Sequence, residues 1–454
     1  MTHFAHAYHY AEPSAMDLQA APRLRLATYS PGAVEHPHFF EGRLHQPHLA
    51  AKLLSTVHLL VGSRFFTPPN TLAKTVALAD PVVTAGAGML RLEAFSACCS
   101  TYIRVDLEPA AYAGNVVGKG TTNVDFNAPM RAALARVRDA DGLALSVGRA
   151  EFALQSGNTR VLEKKVDLPL RWLRSMVAVQ AYQAAMQRVL QVGAVPALRF
   201  LRSLPKASTS KTPLWVVVGP QGLRTTAQCD AGGVRFTDSS RLRVLEALLP
   251  HAHTLSVYAD SQGQASAWCL DFGSMRLTLV LSAEVWRGFS GEGQALHALV
   301  QDDGQHPLSA LRAQLQWQDV LQRDTLAQYL GWPDSAVEHS MQVLGAMGLV
   351  GYDLAHSAYF HRELPVARVL LEDLNPRLAD ARALLHAGAI QLLSTSPLEA
   401  LVHSGDVRYH VREHDGILRC TCPWFAKHLG ERGPCKHVLA AQAAALQPQG
   451  TGHG

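Results

Sequence analysis

At 454 residues the chain is longer than one ordinary domain of roughly 100–200. Apolar residues make up 48% and charged residues 17%, so a sizeable core can form and overall disorder is excluded. A formal net charge of +4 is too small to mark the whole chain as a nucleic-acid or membrane binder.

The first ten residues have neither the basic start nor the apolar centre of a secretory leader. The most apolar run, 53–61, is too short to cross a bilayer and contains His58. A cytoplasmic protein is expected. Seven cysteines, three of them in one C-terminal window, suit a metal site in a reducing compartment better than a disulfide framework.

Residues 1–204 read as a mixed α/β region ending in long helices. Pro47 suits a helix start, and Leu49, Leu53, Leu54, Val57 and Leu60 form one face over 47–61. Strand-like runs follow at 89–95, 101–107 and 121–127. The clearest helical pattern is 169–204, with Trp172, Met176, Val179, Met186, Val189 and Leu190 as its apolar face and a break at Gly193 and Pro196. The Ser/Thr/Lys-rich stretch 205–212 reads as a linker. Residues 213–300 are β-rich, with strands expected at 214–218, 254–258, 267–272 and 275–281. Residues 301–363 turn helical and end in an aromatic hairpin. Residues 364–400 read as a helical connector, 401–446 as a compact unit and 447–454 as a disordered tail. The expected fold class is therefore α+β and multidomain. Whether 1–204 and 213–300 form one domain or two is open.

Charge is uneven along the chain. Residues 101–215 hold 16 basic and 8 acidic side chains, whereas residues 301–400 hold 6 basic and 12 acidic. The basic block includes Arg131, Arg136, Arg138, Lys164, Lys165, Arg171 and Arg174. It suits an acidic protein, a nucleic acid, or simply the solvated face of a long helix.

The strongest chemical signal is Cys420-Thr421-Cys422, then twelve residues, then Cys435-Lys436-His437. Zinc takes thiolates and imidazole in a tetrahedron. In an extended segment alternate residues point the same way, so Cys420 and Cys422 can face one ion. Runs 407–412 and 417–419 flank His414-Asp415-Gly416, a hairpin signal. The run 438–446 is a strong helix former. Residues two apart on a helix diverge by about 200°, so Cys435 is expected at the helix entrance and His437 in its first turn.

This ββα pattern resembles the SWIM-type zinc finger, and all four ligand positions match. Three thiolates and one imidazole close the shell, which argues for a structural zinc. The site carries net charge −1. Arg419, Lys427, Arg432 and Lys436 either offset it, form a face for an acidic partner, or are ordinary solvated charges.

Residues 324–330 form a short helix candidate, with Asp324 suited to its N-cap. Gly331-Trp332-Pro333 makes a turn before a second helix over 334–347, and two strand-like runs follow at 349–354 and 358–363. The arrangement resembles a winged helix-turn-helix, whose second helix often reads DNA. Here 334–347 has neither Arg nor Lys and offers Asp334, Glu338, His339 and Gln342 instead. Phosphate contacts need cations, so a protein-interaction or structural module is expected.

Other signals are weak. The run 114–121 misses the phosphate-loop spacing, and 288–292 misses the nucleophile-elbow pattern at its last position. Cys98-Cys99, Cys229 and Cys269 read as buried thiols, and the N-terminal histidines as solvated.

Taken together, most of the chain resembles a bacterial SWIM zinc-finger family. Besides the finger, the resemblance rests on Phe95-Ser96-Ala97-Cys98-Cys99, Asn123-Val124-Asp125-Phe126-Asn127, Pro169-Leu170-Arg171-Trp172-Leu173, and Gly348-Leu349-Val350-Gly351-Tyr352-Asp353 before Tyr359-Phe360-His361-Arg362-Glu363. Members are similar to proteins encoded beside MoxR-type AAA+ ATPases and von Willebrand factor A-type proteins. That association implies an accessory role in a chaperone-like or metal-insertion module, while the closed ligand shell, the missing catalytic motifs and the acidic winged-helix block point to a non-catalytic adaptor that docks protein partners. A DNA- or RNA-binding regulator using the finger and the basic block is the alternative.

Overall fold

In the computed structural model the residues described are 5–6, 15–17, 23–26, 38–65, 81–115, 118–123, 128–148, 155–156, 159–160, 168–205, 212–220, 222–228, 232–286, 288–289, 306–364, 376–430 and 433–446. The expected disordered tail, the run 124–127 and Cys229 lie outside them. The chain has mixed α and β structure with several sheets.

An eight-stranded sheet is the centre. Its order is Gln187–Gly193, Thr254–Ala259, Ala265–Asp271, Met275–Ser282, Thr101–Leu107, Leu90–Phe95, Val82–Ala85 and Gly120–Asn123. Met275–Ser282 pairs antiparallel with Thr101–Leu107, so strands from both sides of 205–212 share one sheet and one core. Val105, Ile103, Leu92, Ala94, Leu277 and Leu279 occupy one face by register. The helix Pro47–Gly62 packs there and buries the five residues of its expected face.

The opposite face of the same strands carries charge. Arg91 lies opposite Asp106, and Glu93 opposite Arg104. All four are at most 1% exposed. Such burial requires a partner for every charge. The hairpin Val350–Asp353 and Ala358–His361 supplies it. Asp353 contacts Arg91 at 2.9 Å and Arg104 at 3.0 Å, while Asp106 contacts both arginines at 2.9 Å. Arg104 also donates to the Tyr352 carbonyl at 2.6 Å. The Phe360 ring lies beneath Arg91, its centroid 4.1 Å from the guanidinium carbon. Beside this group, Arg362 pairs with Glu93 at 2.5 Å, and the Tyr102 hydroxyl donates to the same carboxylate. A second link is Asp319, which accepts from the amides of Gly88 and Met89.

Three helices precede the hairpin: Leu308–Leu315, Arg323–Leu330 and Asp334–Ala346. They bury a small core of their own with Leu321, Val350 and Tyr359. Asp324 is not the cap expected from the sequence. Gln322 is the N-cap, and Asp324 sits in the first turn, paired with Arg323 at 3.0 Å. The Asp334–Ala346 helix is packed on its far side against the helix Leu170–Ala184, through Ala346 and Val177. Gly345 permits the approach, since a Cβ there would lie 2.2 Å from the Gln180 side chain.

Two expectations fail locally. The segment 169–204 is helix only over Leu170–Ala184 and Ala194–Ser203, and Gln187–Gly193 between them is an edge strand. Its Leu190 is buried and Gln191 exposed, an alternation that helical periodicity across 186–190 masked. The expected helical connector 364–400 is helix only over Pro376–His386 among its described residues. Ile390–Thr395 and Leu398–Ser404 are strands, whose Leu398, Ala400 and Val402 alternate into the C-terminal core.

Burial alone would raise the Asp353 carboxyl, but the guanidinium groups of Arg104 and Arg91, with His356 and Arg276, outweigh it and hold the group well below the usual carboxylate range. A depressed folded value means this stabilisation is complete above the ordinary value of 3.8 and is lost as pH falls below 3.8 towards the folded value. Asp353→Asn should therefore cost about 3–5 kcal/mol, read as a lower urea midpoint at neutral pH. The wild-type advantage should shrink as pH falls below 3.8. An unchanged midpoint would show that the charges are satisfied without Asp353.

Candidate metal centre

The C-terminal sheet runs in the order Ile390–Thr395, Leu398–Ser404, Val407–His414 and Ile417–Cys420. The last two strands are the hairpin read from Asp415-Gly416. Both turn residues have positive φ, 53° and 73°, as a tight two-residue hairpin turn demands. Val411 faces Cys420 in register, and both are buried, so Cys420 points inward.

Cys422 is the N-cap of a short helix, Pro423–His428, with Pro423 favouring its first turn. The Phe425 amide donates to Cys422 Sγ at 3.3 Å. This helix was not legible as part of the expected ββα pattern; Cys-Pro at its start was the available signal. After the loop, Cys435 precedes the helix Lys436–Leu446, and the Val438 amide donates to Cys435 Sγ at 3.5 Å. Two of the three sulfurs thus accept amides at helix starts, contacts that favour the thiolate, although at Cys422 burial outweighs the Phe425 amide and raises the thiol.

His437 lies in the first helical turn, as the spacing predicts. Its Nδ1 is 3.8 Å from Cys420 Sγ and 4.0 Å from Cys435 Sγ. One ligand atom from each of Cys420, Cys422, Cys435 and His437 lies within 4.8 Å of every other. All four residues are buried. Zinc bound tetrahedrally at about 2.3 Å from sulfur and 2.0 Å from nitrogen would set neighbouring donors roughly 3.5–3.8 Å apart. The observed nitrogen–sulfur spacings are close to that range, and the soft donor set suits the ion. These four residues can hold one zinc.

The hydrogen bond from Cys420 draws the Cys435 thiol down against the effect of burial, aided by His437 and the Val438 amide. Cys420 shifts upward because it shares the same proton and is buried.

Neighbours that the sequence did not reveal hold the site in place. The Tyr409 ring stacks on the His437 imidazole, 4.4 Å between centroids at 28°. From the helix Pro376–His386, Arg377 donates to the Pro434 carbonyl at 2.8 Å and lies over the Trp424 ring. Among the four cations expected near the site, Lys436 reaches Asp380 at 3.3 Å. Arg419 and Lys427 are exposed, and Arg432 lies outside the described residues. The Lys436–Leu446 helix is buried on two sides, with Val438 and Ala441 against the sheet and Leu439 and Ala440 against Leu378 and Ala381.

In small zinc units metal binding and folding are coupled. Cys435→Ser should lose zinc and unfold the C-terminal unit while the central sheet stays folded. Metal analysis together with limited proteolysis reads both; stoichiometric zinc in the variant would show the ligand set is wrong.

No curated protein matches the chain. The crystal structure of Proliferating Cellular Nuclear Antigen from Entamoeba histolytica is similar over 54% of this chain and 98% of that chain, with 10% identity and a TM-score of 0.35, too loose a likeness to carry an argument. Residues 409–442 match the SWIM zinc finger family, a span that contains all four candidate ligands. The chain therefore carries a SWIM-type zinc finger at its C-terminal end.

Proposed function

We propose that this protein is a non-catalytic cytoplasmic adaptor. Its SWIM finger holds one structural zinc and docks a protein partner, within a chaperone-like module of a MoxR-type AAA+ ATPase and a von Willebrand factor A-type protein. The observation that supports it is the closed donor set: four buried protein ligands leave a zinc ion no position for water or substrate.

The electrostatics favour protein over DNA as the partner. The helix Asp334–Ala346 has no Arg or Lys and is braced against Leu170–Ala184. Its Glu338 is engaged by the Tyr359 hydroxyl at 2.8 Å. We read the winged-helix-like arrangement as a structural brace. The basic block is partly used within the fold, since Arg171 donates to the Cys98 carbonyl and Arg131 to His58 Nε2. Among the described residues no helix is long and apolar enough to cross a membrane.

The test is a nuclease-treated pull-down of the tagged full chain and of Cys435→Ser from native cells. An ATPase or von Willebrand factor A-type protein should be retained by the wild type and lost by the variant. Nucleic acid as the co-purifying species, with protein partners lost on nuclease treatment, would overturn the proposal.

A further inference from the structure

The C-terminal sheet buries one face under the Lys436–Leu446 helix and leaves the other to solvent. Alternation along the strands places Glu399, Leu401 and His403, then Arg408, His410, Arg412 and His414, then Ile417 and Arg419 on that outer face. Arg412 and Arg419 stand directly opposite each other. Arg408, Arg412 and Arg419 are all exposed. Like charges directly opposed across strands destabilise a sheet, and an anion between them would remove that cost. The carboxylate on these strands' outer face is Glu399, which His410 contacts at 2.8 Å and Arg412 at 3.9 Å.

From this arrangement we infer that the outer face, centred on Arg408, Arg412 and Arg419, is a docking surface for an acidic polypeptide segment. The inference rests on the adaptor reading and names its partner's chemistry. Charge complementarity supplies the attraction, and arginine forks match carboxylates bidentately. Two features favour a polypeptide over nucleic acid. Single-stranded nucleic acid is bound on exposed aromatic platforms, and beside its histidines this outer face carries no Phe, Tyr or Trp among its described residues, the sheet's Tyr409 turning inward onto His437. The face instead pairs its arginines with aliphatic side chains, including Ile417 at 56% exposure. Arginine beside apolar surface is the composition of protein interfaces.

The experiment uses the full-length zinc-loaded chain, with fluorescein-labelled poly-L-glutamate and oligothymidylate as probes in anisotropy titrations. Wild type should bind polyglutamate in a salt-sensitive way and bind oligothymidylate more weakly. Combining Arg408→Glu, Arg412→Glu and Arg419→Glu should weaken polyglutamate binding about tenfold or more, whereas Arg188→Glu on the edge strand of the central sheet should not. Zinc content reports folding. If the triple reversal loses zinc, the neutral set Arg408→Gln, Arg412→Gln and Arg419→Gln should show the same loss. Undiminished polyglutamate binding in a zinc-retaining variant, or tighter binding of oligothymidylate, would overturn the inference. If such a variant still retains the nuclease-resistant partner of the pull-down, this face is wrong and the adaptor reading stands. Arginine-dependent polyglutamate binding in a chain that captures no nuclease-resistant partner would uphold the face and sink the adaptor reading.

Discussion

The architecture depends on a row of charges inside the central sheet. Arg91, Glu93, Arg104 and Asp106 occupy one face of adjacent strands, where water does not reach them. Alone that face would be a large desolvation penalty. It becomes tolerable only when Asp353 of the hairpin and Arg362, the residue after it, arrive more than two hundred residues later. Three guanidinium groups then meet three carboxylates, and Phe360 closes the layer beneath Arg91. The need to pair these charges specifies where the three-helix and hairpin unit must sit. It also explains why the Asp334–Ala346 helix is held against Leu170–Ala184 instead of standing free.

The C-terminal unit solves a different problem. Its core is small and includes three cysteines among its buried residues. Buried thiols and an imidazole at mutual contact distance are poor packing material, but they become strong cross-links once a metal joins them. The sheet supplies Cys420, one helix start holds Cys422, and another brings Cys435 and His437. Tyr409 stacks on the imidazole of His437, and Arg377 holds the Pro434 carbonyl just before Cys435. The outcome is a unit whose ligands point inward and whose strand arginines, Arg408, Arg412 and Arg419, point outward.

Legibility in the sequence followed the range of the interaction. The ligands were readable because zinc imposes local offsets: Cys420 with Cys422, and Cys435 with His437. The hairpin between 407 and 420 was readable because Asp415-Gly416 answers a local demand for positive φ. The helix Pro47–Gly62 was readable from one apolar stripe. The buried charge row was not, because Arg91 and Asp353 are 262 residues apart and neither segment alone shows a burial signal. Gln187–Gly193 resembles helix in sequence because apolar residues at 186, 189 and 190 fit a helical stripe, while its pairing with Thr254–Ala259 is a tertiary fact. The strands after Pro376–His386 escape the pattern for the same reason: Ile390, Leu392, Leu398 and Val402 acquire their meaning only against the core that the helix Lys436–Leu446 completes.

X-ray absorption at the zinc edge of the purified full chain separates a closed structural metal site from an open one. A closed site should give three sulfur neighbours at about 2.3 Å, one nitrogen at about 2.0 Å and no oxygen. A bound oxygen, or fewer than three sulfurs, would mean an open site and would contradict the structural role.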